Sequence, residues 1–161
     1  MSTILIDPAY HLERIDGREV QKPLPKKLHA FVQSYLIRIL SGKAQPNVRV
    51  LPELNVLCGD DRVIPDVTVV RRNARYIDGD LADPAILAVE ILSPDQPLSI
   101  LIDKAERLIK AGTPMCWIIW PERRQAWMFS VDALREAGET LTAGNAIEIS
   151  VAAMWADLDE S

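Results

Sequence analysis

Cysteine and histidine are scarce in this chain, with two of each: Cys58, Cys116, His11 and His29. Two cysteines exclude a disulfide framework and a cysteine-rich zinc site, and two histidines exclude a His-rich one. No apolar run approaches the roughly 20 residues that cross a bilayer as a helix. The opening MSTILIDPAYHLER has neither the charged n-region nor the apolar stretch of a signal peptide, which predicts a cytoplasmic protein without membrane association. Glycine-rich phosphate loops (GxxxxGK[ST], GxGxxG) and the GxSxG nucleophile elbow are missing, so neither nucleotide cradling nor serine hydrolysis has sequence support. Repeats and Gly/Ser linkers are also missing, and 161 residues suit one domain spanning 1–161.

The charge is −5 overall but unevenly spread. Residues 10–49 hold eight basic against three acidic side chains, +5, leaving −10 for the remainder. Such a balance argues against a general nucleic-acid coat. A basic lobe facing a phosphate backbone and a merely solvated helix face both remain open.

Residues 10–22 predict a hairpin turning at Asp16-Gly17. Leu28, Val32, Tyr35, Leu36 and Ile39 recur at helical spacing over 26–40, with Gly42 as a stop. Strands are predicted at 47–58, 62–71, 85–92, 115–120, 125–131 and 146–151, with a loop around 78–84 and a second helix over about 99–111. This order predicts an α+β protein, a β-sheet with helices packed on it.

Glu90 is the most informative residue. It lies within Ile86-Leu87-Ala88-Val89-Glu90-Ile91-Leu92, a run that reads as a central strand covered on both faces. A carboxylate buried there needs a cation, hydrogen bonds or a raised pKa; a structural carboxylate capped by Arg or backbone amides is the alternative. Asp66 follows Pro65, whose missing N–H demands an edge or an irregularity. Period two puts Asp66, Thr68 and Val70 on one face, and Ala88, Glu90 and Leu92 on one face of the next strand. If the strands are neighbours, two carboxylates converge on a hard cation, and Mg2+ suits such a pair. Lys104 borders the apolar stripe Leu101, Ala105, Leu108 and Ile109 of the second helix, from where it can reach over the sheet. A lysine snorkelling past the stripe to water is the other reading.

Together, Pro65-Asp66, Val89-Glu90-Ile91-Leu92-Ser93-Pro94, Lys104 on the following helix, Ala111-Gly112-Thr113-Pro114 and Trp117-Ile118-Ile119 resemble the PD-(D/E)XK nuclease superfamily. The closer resemblance is to the bacterial restriction-endonuclease-like family with an E-x-L-S-P motif and its lysine on the next helix. Leu12-Glu13-Arg14-Ile15-Asp16-Gly17, with Glu19 just after it, and His29 also fit, so the likeness spans about 10–131. It implies a restriction-endonuclease-like fold, a mixed central sheet flanked by helices with an N-terminal hairpin. It also implies Mg2+-dependent hydrolysis of DNA, with Mn2+ as a substitute. Asp66, Glu90 and the Ile91 carbonyl would hold the metal, Lys104 would position water or stabilise charge, and Glu19 and His29 would be accessory. The chain departs from the family in its apolar stretch Pro97-Leu98-Ser99-Ile100-Leu101, in Leu108 and in Trp120-Pro121. The second reading is a catalytically inactive interaction or DNA-binding module on the same fold. Trp117, Trp120, Trp127 and Trp155 are candidates for an exposed aromatic surface, and with an edge strand they predict a homodimer.

Overall fold

The computed structural model describes residues 12–43 and 46–160. Strands β1 (Leu12–Ile15) and β2 (Arg18–Gln21) form the predicted hairpin. Asp16 and Gly17 have φ of 52° and 77°, the two left-handed residues of a type I′ turn; Tyr10 and His11 lie outside the described residues. Helix α1 (Lys27–Lys43) buries Val32, Tyr35, Leu36 and Leu40, and runs through Gly42 instead of stopping before it.

Two predicted strands each break in two, for local reasons. The 47–58 segment becomes β3 (Val48–Pro52) and β4 (Val56–Cys58), because Glu53 turns the chain at φ 50° and sends the halves into different sheets. The 62–71 segment becomes β5 (Asp61–Val63) and β6 (Val67–Arg71), interrupted at Ile64-Pro65-Asp66, where proline has no ladder donor. The predicted loop near 78–84 begins as a small hairpin, β7 (Tyr76–Ile77) and β8 (Asp80–Leu81). Then follow β9 (Leu87–Ile91), α2 (Leu98–Lys110), β10 (Cys116–Trp120) and β11 (Gln125–Phe129), all close to expectation. Three C-terminal elements were not predicted: β12 (Leu134–Glu136), β13 (Thr140–Ala143) and, after the expected β14 (Ile147–Ser150), helix α3 (Val151–Asp159). Ser150 caps α3, its Oγ accepting from the Ala153 amide at 3.1 Å.

The fold is α+β. A mixed sheet runs β12-β11-β10-β9-β6-β3, with β9 and β10 parallel and joined by α2, as a parallel pair requires a crossover. A second sheet runs β2-β1-β5-β4-β8-β7. Alternation assigns the faces. Val67, Val69, Leu87, Val89, Ile91, Trp117 and Ile119 pack with α1 and with Met154 and Leu158 of α3. Val70, Ala88, Leu92, Cys116 and Ile118 pack with Leu101, Ala105 and Leu108 of α2 and with Val56, Val63 and Leu81. Burial of each such leucine stabilises by about 1.5–3 kcal/mol, which fixes α2 firmly over the sheet. Gly112 ends α2 at φ 113°, and an added Cβ would stand 2.7 Å from Pro84 Cγ, so glycine alone fits that bend. The aromatic-surface expectation needs one correction. Trp117 is wholly buried, its Nε1 donating to the Thr142 carbonyl at 2.9 Å, while Trp120 and Trp127 form a half-buried pair.

Candidate active site

The broken strand positions the first carboxylate. The register Val67↔Val89 and Thr68↔Ala88, continued by one residue, sets Asp66 opposite Glu90 on the α2 face. The Asp66 amide donates to the Val89 carbonyl at 2.9 Å. Both side chains are about 1% exposed. Asp66 Oδ2 accepts from the Ile91 amide at 2.6 Å. Its Oδ1 faces Lys22 Nζ at 2.7 Å and His29 Nε2 at 3.0 Å. Gln33 of α1 ties the loop down, its Nε2 donating to the Asp66 carbonyl at 2.8 Å and to Glu53 Oε2 at 2.7 Å.

Lys104 does reach over the sheet. It is buried at 5% exposure, with Nζ 2.7 Å from Glu13 Oε1. Glu13 Oε2 accepts from the Ile64 amide at 2.8 Å, linking the hairpin, the broken strand and α2. Glu90 Oε2, Asp66 Oδ1 and His29 Nδ1 are buried with no hydrogen-bond partner among the described residues, but Asp66 Oδ1 has Lys22 and His29 close by and Glu90 Oε2 does not.

These contacts set the protonation equilibria. For Asp66, burial alone would raise the pKa, but Lys22 and His29 override it and hold the carboxyl well below the usual range. For Glu90, burial dominates and Asp66 adds to it, while Lys104 and Lys22 oppose; the result is pushed up to about 8. Burial acts to lower Lys22, yet Asp66, Glu90 and Glu53 raise it above an ordinary lysine. Lys104 is likewise raised, Glu90 and Glu13 outweighing its burial. The cluster thus gathers four carboxyl groups (Glu13, Glu53, Asp66, Glu90) around two ammonium groups and the His29 imidazole, with the Glu90 carboxyl holding its proton up to about pH 8.

Of the sequence-derived residues, Asp66, Glu90, Lys104 and His29 come together. Glu19 does not: it is exposed on β2 and pairs with Arg62 at 3.3 Å and Arg14 at 3.8 Å. The acid that reaches the cluster from the hairpin is Glu13, on β1. Glu13, Lys22, Glu53 and Gln33 are the polar residues that sequence reasoning left without a role. No group of three or more His, Cys, Asp or Glu is arranged around a common ion position among the described residues. A groove of about 330 Å3 reaches His29 between Lys26, Lys27, Leu92 and Pro94. A groove of about 1120 Å3 lies elsewhere, beside Asp16, Asp61 and Asp103. Arg107 contacts all three of those carboxylates, at 3.1 Å from Asp16 and 3.0 Å from Asp103 and in contact with Asp61.

Known proteins share this architecture. A family model described as "Putative restriction endonuclease" matches residues 3–156. The chain is also similar to the crystal structure of "a putative nuclease belonging to DUF820" from Anabaena variabilis. The TM-score is 0.78 at 25% identity, over 91% of this chain and 90% of that one. No curated protein matches.

Proposed function

Since the chain belongs to the Uma2 family of restriction-endonuclease-like proteins, we propose that it is a Mg2+-dependent DNA endonuclease acting through Asp66, Glu90 and Lys104. Nuclease function in general is supported by the family and by the structural neighbour; the metal, the DNA substrate and the residue roles are our reading. The observation that carries it is the buried Glu90 Oε2, without a hydrogen-bond donor among the described residues and opposite a second buried carboxylate. Burying such an oxygen costs stability unless something electropositive meets it, so these residues fit a hard divalent cation.

Asp66 and Glu90 would hold the ion, with the Ile91 carbonyl as a third donor. When bound, Mg2+, or Mn2+ in its place, polarises a phosphoryl oxygen and lowers the pKa of water. Lys104 contributes a fixed positive charge beside Glu90, oriented by Glu13, that favours negative charge growing on a phosphate. His29 Nε2 stands 3.0 Å from Asp66 Oδ1 and backs that carboxylate. Lys26 and Lys27 line the groove that leads to His29, with Glu122 on its other side, and are the groups there that would meet a phosphate backbone.

The experiment is cleavage of single- and double-stranded DNA with Mg2+ or Mn2+, comparing wild type with Asp66→Ala. Metal-dependent cleavage that falls at least about 10²-fold in the variant is expected; equal cleavage by both refutes the assignment. One observation favours the second reading, an inactive nuclease-fold module. Both Asp66 oxygens are already engaged, by Lys22, His29 and the Ile91 amide. That reading predicts no cleavage with any divalent metal. We also propose a homodimer through the outer strand β12, where Leu134 is exposed beside Val131. A monomeric mass by sedimentation at micromolar concentration contradicts it.

A further inference from the structure

Lys22 directly follows β2 and turns inward, to 5% exposure. Its ammonium meets Asp66 Oδ1 at 2.7 Å, the Ile64 carbonyl at 2.7 Å and Glu53 Oε1 at 3.0 Å. An ammonium has three donors, and here three oxygens surround it. Two are carboxylate oxygens and one is a backbone carbonyl, the donor types that a hard cation takes. The chain has therefore built a cation position on Asp66 and placed its own lysine in it. Glu90, opposite, keeps an oxygen without a donor among the described residues. Asp66 Oδ1 is thus met by Lys22 and His29, while Glu90 Oε2 has no donor among the described residues.

We propose that Lys22 is a resident cation of this site: it holds Asp66, Glu53 and the Ile64 carbonyl in place when no divalent ion is bound, and it must leave Asp66 Oδ1 for the ion to bind. Lys22 is then the positioning residue that sets metal affinity. The inference rests on the reading that Asp66 and Glu90 hold the ion. Two positive charges cannot share one carboxylate oxygen without repulsion, so an ion entering between Asp66 and Glu90 works against the ammonium. Binding should be weak in the native chain and tighter without the lysine charge. A lysine that only scaffolds the loop predicts the opposite sign, since its removal would loosen the ligands and weaken binding.

The test is calorimetric titration of Mn2+ into wild type, Lys22→Gln and Asp66→Ala, with melts to confirm folding. The expected result is at least tenfold tighter binding by Lys22→Gln than by wild type, and loss of that binding in Asp66→Ala. Equal or weaker affinity in Lys22→Gln, with Asp66→Ala still abolishing binding, overturns the role of Lys22 and leaves the metal site standing. Binding unaffected by Asp66→Ala, or no binding by wild type and Lys22→Gln alike, overturns both. If Lys22→Gln does not fold, amine-reactive labelling of wild type read by mass spectrometry decides. Labelling of Lys22 should rise several-fold when Mn2+ replaces EDTA; unchanged labelling overturns the proposal.

Discussion

Replacing Glu90 with glutamine gives the most quantitative prediction, because it removes a charge while keeping the shape. Burial, reinforced by Asp66 and opposed by Lys104 and Lys22, lifts this carboxyl from its ordinary 4.5 to about 8. A folded pKa above the unfolded one means that the native state binds the proton more tightly. The stabilisation is complete below about 4.5 and is lost as pH rises through 8. Between those limits stability falls by at most about 1.4 kcal/mol per pH unit, so from pH 5.5 to 7.5 the ceiling is about 2–3 kcal/mol. For a chain of this length that is a fall in Tm of about 4–12 °C. Asp66 does not interfere, since its pKa is lowered: its contribution is present above 3.8 and is lost only as pH falls below that. Lys22 and Lys104 are raised, so their contributions hold below 10.5 and are lost only at higher pH. Thermal melts in EDTA at the two pH values therefore report Glu90 through the difference between wild type and Glu90→Gln. Wild type should melt lower at pH 7.5, and the variant should show a flatter dependence and match or exceed wild type there. Parallel pH dependences, or a variant melting far below wild type at pH 7.5, would refute the reasoning and mark Glu90 as a carboxylate with its own structural partner.

Two other substitutions test the frame around the site. Lys104→Ala strands the buried Glu13 carboxylate that it meets at 2.7 Å and should cost about 3–5 kcal/mol in urea unfolding; a neutral result would deny that the pair holds α2 to the hairpin. Gly112→Ala must accommodate φ 113° and a Cβ 2.7 Å from Pro84 Cγ, so a loss of about 1–3 kcal/mol is expected in the same assay. An unchanged unfolding midpoint would show that the bend relaxes freely.

The central elements were legible because their signals are local. Asp16-Gly17 dictates a left-handed turn, Pro65 removes a ladder donor, and the apolar stripes of α1 and α2 have the helical period. The opposition of Asp66 and Glu90 also followed, since period two fixes the faces once the strands are neighbours. What stayed hidden depends on contacts distant in sequence. Glu13 meets Lys104 across 91 positions, and Lys22 meets Ile64 across 42; no spacing within one element encodes either. Glu19 and Glu13 stand on opposite sides of the same turn, and only the pairing of β1 with β5 decides which faces inward. Glu53 carried no signal because its role comes from a left-handed backbone at a non-glycine residue. The three missed C-terminal elements are short; for α3 the Ser150 N-cap was a readable start signal, but it is also the last residue of β14.

The most direct test of the account is a crystal structure of the protein soaked in Mn2+ at saturating concentration, with the ion located by its anomalous signal. The account predicts one peak between the Asp66 and Glu90 carboxylates and Lys22 Nζ withdrawn from Asp66 Oδ1. No peak there, or a peak at other residues with Lys22 still bonded to Asp66, would contradict it.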